Sequence, residues 1–270
     1  MTSYDNTAVP DYRSMTRLDG KSFVVIGAGQ GIGRQTAHAL VQAGAQVACV
    51  GRSADLTEAV AREVRGVAIL GDATVRADVE RIFDSARSHL GGVNGVVDTL
   101  GMVRRKPLLE FTDADWDWQF DVVLRHAFLV TQIGGLAVAA GGGGSLTFVG
   151  SVASLVGSDN HTVYGAAKAA LNHMVRAAAL ELAPHGVRIN VVAPSVVTTP
   201  RVQGWIDQGH GRDAVQYFPL GRLAQPADVA AAILAMASGL HGYVTGQTLL
   251  VDGGMLAQSP MPDSVWFEKK

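Results

Sequence analysis

Ser151, Tyr164 and Lys168 supply a hydroxyl, a phenol and an ammonium at fixed separations. Brought together, three such groups move a proton on and off a substrate oxygen. Tyr164 and Lys168 stand four apart within YGAAKAALNHMVRAAALEL, a stretch of strong helix formers without proline, so they share one helix face. Ser151 follows the apolar run SLTFVG, which puts it at the C-terminal end of a strand, where open α/β sheets bind ligands. An unperturbed tyrosine has a pKa of about 10 and a lysine about 10.4. A lysine held against the phenol favours the phenolate and draws its pKa towards neutrality, where a general base is most effective. The same spacing is common on ordinary helix faces, so the surrounding elements must decide.

Those elements alternate. From Lys21 onward, short apolar runs (SFVVIG, QVACVG, VAILGD, NGVVDTLG, SLTFVG, VRINVVAP and QTLLVDGG) read as strands separated by helical stretches, the longest being ADWDWQFDVVLRHAFLVTQIGGLAVAA. Alternation of this kind predicts an α/β fold, a Rossmann-like doubly wound parallel sheet with helices on both faces. The strands are almost wholly apolar, as strands covered on both sides must be. No repeat or linker divides the chain, and GGGG at 141–144 reads as a loop before a strand. The reading is one domain over residues 19–270, preceded by a flexible arm, residues 1–18, polar and aperiodic.

Composition sets the outer limits. The chain has 270 residues, 48% of them hydrophobic, and a formal net charge of -2. A core of that size suits one α/β domain. No basic run points to nucleic acid, and no uninterrupted apolar stretch of about 18 residues predicts a membrane span. The lone Cys49 lies within an apolar strand, and the N-terminus lacks the apolar core of a signal peptide, so a cytoplasmic protein is expected. His126 and His161 lack metal-ligand spacing with any Cys, His or acid, and no metal is expected.

Between the first strand and the first helix stands Gly27-Ala28-Gly29-Gln30-Gly31-Ile32-Gly33. Glycines there permit a tight turn and a close backbone approach to a pyrophosphate, with the N–H groups of a helix N-terminus behind them. Ile32 and Arg34 exclude G-x-G-x-x-G; the spacing is G-x-x-x-G-x-G. With that loop, Asp72 after the third strand, GSVAS around Ser151, Tyr164-x-x-x-Lys168, NVVAPSVVTTP and GQTLLVDGG, the chain resembles the short-chain dehydrogenase/reductase family, in its single-domain branch, over residues 18–257.

The resemblance implies a nicotinamide cofactor and hydride transfer to or from a carbonyl or alcohol carbon. It implies Tyr164 as acid/base, Ser151 as the group that stabilises the substrate oxygen, and Lys168 as the residue that lowers the tyrosine pKa and holds the nicotinamide ribose. It further implies that Gly27, Gly29, Gln30, Gly31, Ile32 and Gly33 cradle the pyrophosphate and that Asp72 and Ala73 meet the adenine, with a helix cap as the alternative for Asp72. Gly101, Pro194, Val197 and Thr199 fall on the nicotinamide side. A homotetramer or homodimer is also implied.

The end of the second strand bears on the choice of cofactor. Gly51-Arg52-Ser53 replaces the acidic residue that would bond a ribose 2′-OH. A guanidinium and a hydroxyl suit a 2′-phosphate, which favours NADP (NADPH), with NAD as the alternative and Ser53 also placed to cap the next helix.

The chain departs from the family pattern at three places. Asp98-Thr99-Leu100-Gly101 stands for Asn-Asn-Ala-Gly, Val123 for a helical asparagine that supports a proton-relay water, and Ser195 for a glycine. At Val123 only a backbone carbonyl is left to hold that water. An alternative of another class follows, a dinucleotide-binding protein weakened in catalysis that acts as a sensor or oligomer subunit.

Substrate contacts are expected from Val152, Leu155 and His161 after the serine and from a lid at 201–218 carrying Trp205, Tyr217 and Phe218. These side chains suit an apolar or cyclic alcohol or ketone, unless the aromatics serve only to pack the lid.

Overall fold

The structure, a computed structural model, describes residues 7–258. Residues 1–6 of the expected arm and 259–270 at the end of the domain lie outside the described residues. Seven strands form one parallel sheet in the order β3-β2-β1-β4-β5-β6-β7. They are β1 (Ser22–Ile26), β2 (Gln46–Gly51), β3 (Val67–Leu70), β4 (Gly95–Asp98), β5 (Gly144–Val149), β6 (Val187–Pro194) and β7 (Thr248–Val251). Strand order reverses between β1 and β4, and a doubly wound sheet opens its binding crevice at that switch point, beyond the strands' C-terminal ends.

Alternate residues of each strand feed two cores. Val24 and Ile26 of β1, with Leu146 and Phe148 of β5, pack under α3 (Arg76–Leu90), α4 (Asp113–Ala140) and α5 (Thr162–Leu182). Phe23 and Val25, with Cys49 and Val192, pack under α1 (Gly31–Gln42), α2 (Ala54–Glu63) and a later helix, Pro226–Ala237. This is the period of two expected of strands covered on both faces. Burial pushes the Cys49 thiol up to about 12, which leaves it an inert core residue.

Helix α4 alone among the described residues is long and apolar enough to cross a membrane, by length and composition, yet half of its most apolar stretch is buried within the protein. It is a core helix here, packed against α3 and α5. It loses regular winding twice, at Asp121–Arg125 and Val130–Gly134, where i→i+5 bonds replace the usual ladder. The remaining helices are α6 (Pro200–Asp207), which forms the first part of the expected lid, and α7, the helix Pro226–Ala237 named above. The last residues of the expected arm lie against the body: Ser14–Thr16 forms one short turn, and Leu18 is buried, its N–H bonded to the Ala43 carbonyl at 2.7 Å.

Candidate active site

The C-terminal ends of β1, β4, β5 and β6 open into one cleft of about 650 Å³. Ser151, Tyr164 and Lys168 line it, as does every residue the sequence assigned to the cofactor, from Gly27 at one end to Thr199 at the other. The triad is assembled by two elements. Ser151 leaves β5 in extended backbone (φ -166°), its Oγ accepting from the Ala153 N–H at 3.2 Å. Tyr164 and Lys168 project from the first turns of α5. Asn172, one turn further on, donates to Ser154 Oγ at 2.8 Å, and Ser154 donates to the Ser151 carbonyl at 2.7 Å. Helix α5 thereby fixes the serine as well as the tyrosine, through two residues that sequence spacing did not single out.

The electrostatics differ from the sequence expectation in one respect. Burial pushes the Tyr164 phenol above its ordinary value, while the Ser151 hydroxyl beside it and the Arg105 guanidinium pull it down. Lys168 makes no hydrogen bond to the phenol. Its Nζ is turned to the Val149 carbonyl, 2.7 Å away, and sits 5.9 Å from the tyrosine ring centroid. Complete burial also lowers the ammonium to about 8, against an opposing pull from the Asp98 carboxylate. The ammonium is therefore still charged at neutral pH and loses its charge as pH rises through about 8.

Asp98, which the sequence left open as a structural hydrogen-bonder or an unusual site acid, lies at the end of β4 and does not line the cleft. It is buried, as is His126 of α4, and its Oδ2 stands 3.2 Å from His126 Nε2, an ion-pair distance without hydrogen-bond alignment. Its other oxygen accepts the Leu100 N–H at 2.9 Å and shapes the turn out of β4. Gly101 survives from the family motif for a packing reason, since a Cβ there would come within 3.0 Å of Lys168 Nζ. Val123 is buried within the first irregular turn of α4, where the His126 N–H reaches back to the Asp121 carbonyl. Backbone groups are thus the polar atoms at that position, and π-wound turns recur at functional sites.

The other half of the cleft fits a dinucleotide. The N-terminus of α1 carries no side-chain cap, so its first N–H groups face an anion unblocked. Gly33 lets the helix meet the strand turn: a Cβ at this position would lie 2.1 Å from the Gly27 carbonyl oxygen. Gly31, at φ +57°, abuts the Thr199 side chain, which joins the glycine loop to the end of β6. Ser53 stands at the N-cap of α2 without a side-chain capping bond, so its hydroxyl is uncommitted, and Arg52 beside it is exposed. Arg52 Nη1 reaches Asp72 Oδ2 at 3.2 Å, and Asp72 also closes a turn by accepting from the Thr74 N–H and hydroxyl at 2.9 and 2.7 Å. Burial works against the Asp72 carboxylate, yet Thr74 and Arg52 hold it below its ordinary value. Ser195 lines the cleft with a buried hydroxyl that has no hydrogen-bond partner among the described residues.

The expected substrate residues divide. Val152, His161 and Trp205 line the cleft, and the His161 ring meets Tyr164 edge-on at 6.1 Å. Leu155 is half exposed and does not line it, because the turn after Ser151 carries it outward. Of the lid aromatics, Trp205 alone faces the cleft; Phe218 is buried against the body and Tyr217 is exposed. Sequence reasoning missed Arg105, whose guanidinium lies 5.0 Å above the Trp205 ring. It sits in a basic triplet that reads as solvated surface in one dimension. No group of three or more metal-binding side chains occurs among the described residues.

Known proteins resemble this chain in sequence and in fold. A family profile described as "Enoyl-(Acyl carrier protein) reductase" matches residues 27–256. Mouse L-xylulose reductase is 39% identical over 242 residues, which are 89% of this chain and 98% of that protein. A tropinone reductase homolog of Arabidopsis thaliana is 30% identical over 88% of this chain and 92% of its own length. Among solved structures, a 7 alpha-hydroxysteroid dehydrogenase complexed with NADH and 7-oxo glycochenodeoxycholic acid superposes with a TM-score of 0.86 at 31% identity, covering 91% of this chain and 98% of that one. A likeness that runs the length of the sheet and the cleft alike carries more than fold: this chain belongs to the short-chain dehydrogenase/reductase family of oxidoreductases acting on CH–OH groups.

Proposed function

We propose that the protein interconverts a ketone and a secondary alcohol, with NADPH as the favoured cofactor, and that Ser151, Tyr164 and Lys168 carry the proton chemistry. The observation behind this reading is the convergence of all three on the floor of the cleft whose other end is the uncapped N-terminus of α1. When bound, the nicotinamide supplies or accepts the hydride. In the reductive direction the Tyr164 phenol gives its proton to the carbonyl oxygen, and in the oxidative direction the phenolate takes it from the alcohol. The Ser151 hydroxyl donates to the same oxygen and stabilises the charge that builds on it. Lys168 holds the ribose hydroxyls and delivers its charge towards the phenol. Val123 offers no polar side-chain atom, so proton exchange beyond Lys168 runs through water held by backbone carbonyls of the irregular turn in α4.

Arg52 and the uncommitted Ser53 hydroxyl support the preference for a 2′-phosphate. The test is a panel of secondary alcohols and ketones, apolar cyclic ones included, assayed with NADPH and NADH by the absorbance of the reduced nicotinamide. Turnover with kcat/KM higher for NADPH is expected, and replacing Arg52 by Ala should erode that preference. Cofactor binding without turnover on any of the panel would instead favour a sensor or a regulatory subunit.

A further inference from the structure

The charges lining the cleft are unevenly distributed. Its one carboxylate is Asp72, at the end of β3 and already paired with Arg52. The substrate side, beyond β4 and β5, is lined by Arg105, Arg201 and His161 and by no acid. Arg105 and Arg201 are exposed to the solvent that fills the cleft, so this side presents positive charge to whatever enters it.

Arg105 sits on backbone that is held in place, while its side chain is exposed. It is the middle member of Arg104-Arg105-Lys106, and both neighbours are tied to Asp115: Arg104 through Nη1 to Oδ1, and Lys106 through Nζ to Oδ2 at 2.8 Å. Asp115 itself is fixed in a capping box at the start of α4. The loop backbone is pinned from below by Gln119, fully buried, which accepts the Arg104 N–H and donates to the Met102 carbonyl, each at 2.8 Å. Arg105 alone of the triplet turns to the cleft, stacks on Trp205, and has no carboxylate partner among the described residues. It lines the same cleft as Ser151 and Tyr164. A guanidinium stacked by its face on an aromatic ring keeps its edge N–H donors free. Two parallel N–H groups fit one carboxylate bidentately.

We propose that Arg105 anchors a carboxylate of the substrate, so that the compounds this site prefers are oxo acids and hydroxy acids rather than neutral ketones and alcohols. This rests on the reading of the cleft as a ketone/alcohol site and deepens it. A single guanidinium matches a carboxylate, whose two oxygens take its two parallel N–H groups.

The test compares a cyclic oxo acid with its primary amide on the wild-type protein and on Arg105→Gln and Arg105→Lys. The wild type should favour the acid in kcat/KM by about 10- to 100-fold, mainly through KM, the scale of a charged hydrogen-bonded contact. Arg105→Gln should bring that ratio close to one, and Arg105→Lys should leave part of it. Equal use of acid and amide by the wild type, or a preference that survives Arg105→Gln, overturns the proposal. So does an equal loss on both compounds, which would make Arg105 only a clasp for the lid. A weakened NADPH affinity in Arg105→Gln with the acid preference intact would assign the arginine to the cofactor and likewise overturn it. If the panel yields a neutral ketone substrate and no oxo acid is reduced, this inference fails alone; if nothing is reduced, the ketone/alcohol reading fails instead.

Discussion

The charge of Lys168 is the residue-level variable on which the chemistry turns, and burial and one neighbour set it. Burial drives the ammonium to discharge at about 8, and the Asp98 carboxylate resists that. The charged form prevails below this value, so kcat/KM for reduction should fall as pH rises through about 8. Asp98→Asn removes the resisting charge. The lysine then loses its proton at lower pH, and the alkaline limb of the pH–rate profile should move down. A limb that stays in place would mean that Asp98 serves only the turn at Leu100. Ser151, Tyr164 and Lys168 were legible in the chain because their spacing is helical and strand-terminal. The Asp98–His126 contact was not, since it joins residues on a strand and on a distant helix that only tertiary packing brings together. Arg105 was hidden for a related reason: nothing in Arg104-Arg105-Lys106 says which members Asp115 will hold and which will face the cleft.

Each strand ending at the cleft delivers one part of the site, and the turns after them tolerate little change. At Gly33 a methyl group would meet the Gly27 carbonyl, so Gly33→Ala must push α1 off the strand turn. A loss of about 1–3 kcal/mol is expected, the usual scale of overpacking, measured by urea denaturation. NADPH affinity should fall with it, and unchanged binding would show that the α1 terminus is not the phosphate site. The strands and most helices could be read from apolar runs and helical periods, because the parallel sheet is covered on both faces and its strands advertise this in sequence. The two irregular turns of α4 could not, as they lie where the helix packs on α5 and on α3, and no proline marks them. Helix α6 was read only as part of a lid at 201–218; Thr199 and Pro200 at its start form an N-cap and first helical position.

At the scale of the whole molecule, apolar side chains remain on the outside of α4 and α5: Leu180 is 79% exposed, Leu136 69% and Phe128 46%. Isolated apolar residues on a surface need no explanation, whereas a contiguous patch of them suits an interface, and these two helices are where an interface is expected. A homotetramer or homodimer is expected by size-exclusion chromatography with light scattering, and Leu180→Arg should reduce the measured mass. A monomeric wild type would contradict it. The central claim, that this cleft performs acid/base chemistry through one phenol, is tested most directly by Tyr164→Phe. On the best substrate of the panel, turnover should drop by about 10²- to 10⁴-fold, the usual contribution of a positioned acid or base, while NADPH still binds by fluorescence titration. Turnover close to wild type with intact cofactor binding would contradict the account.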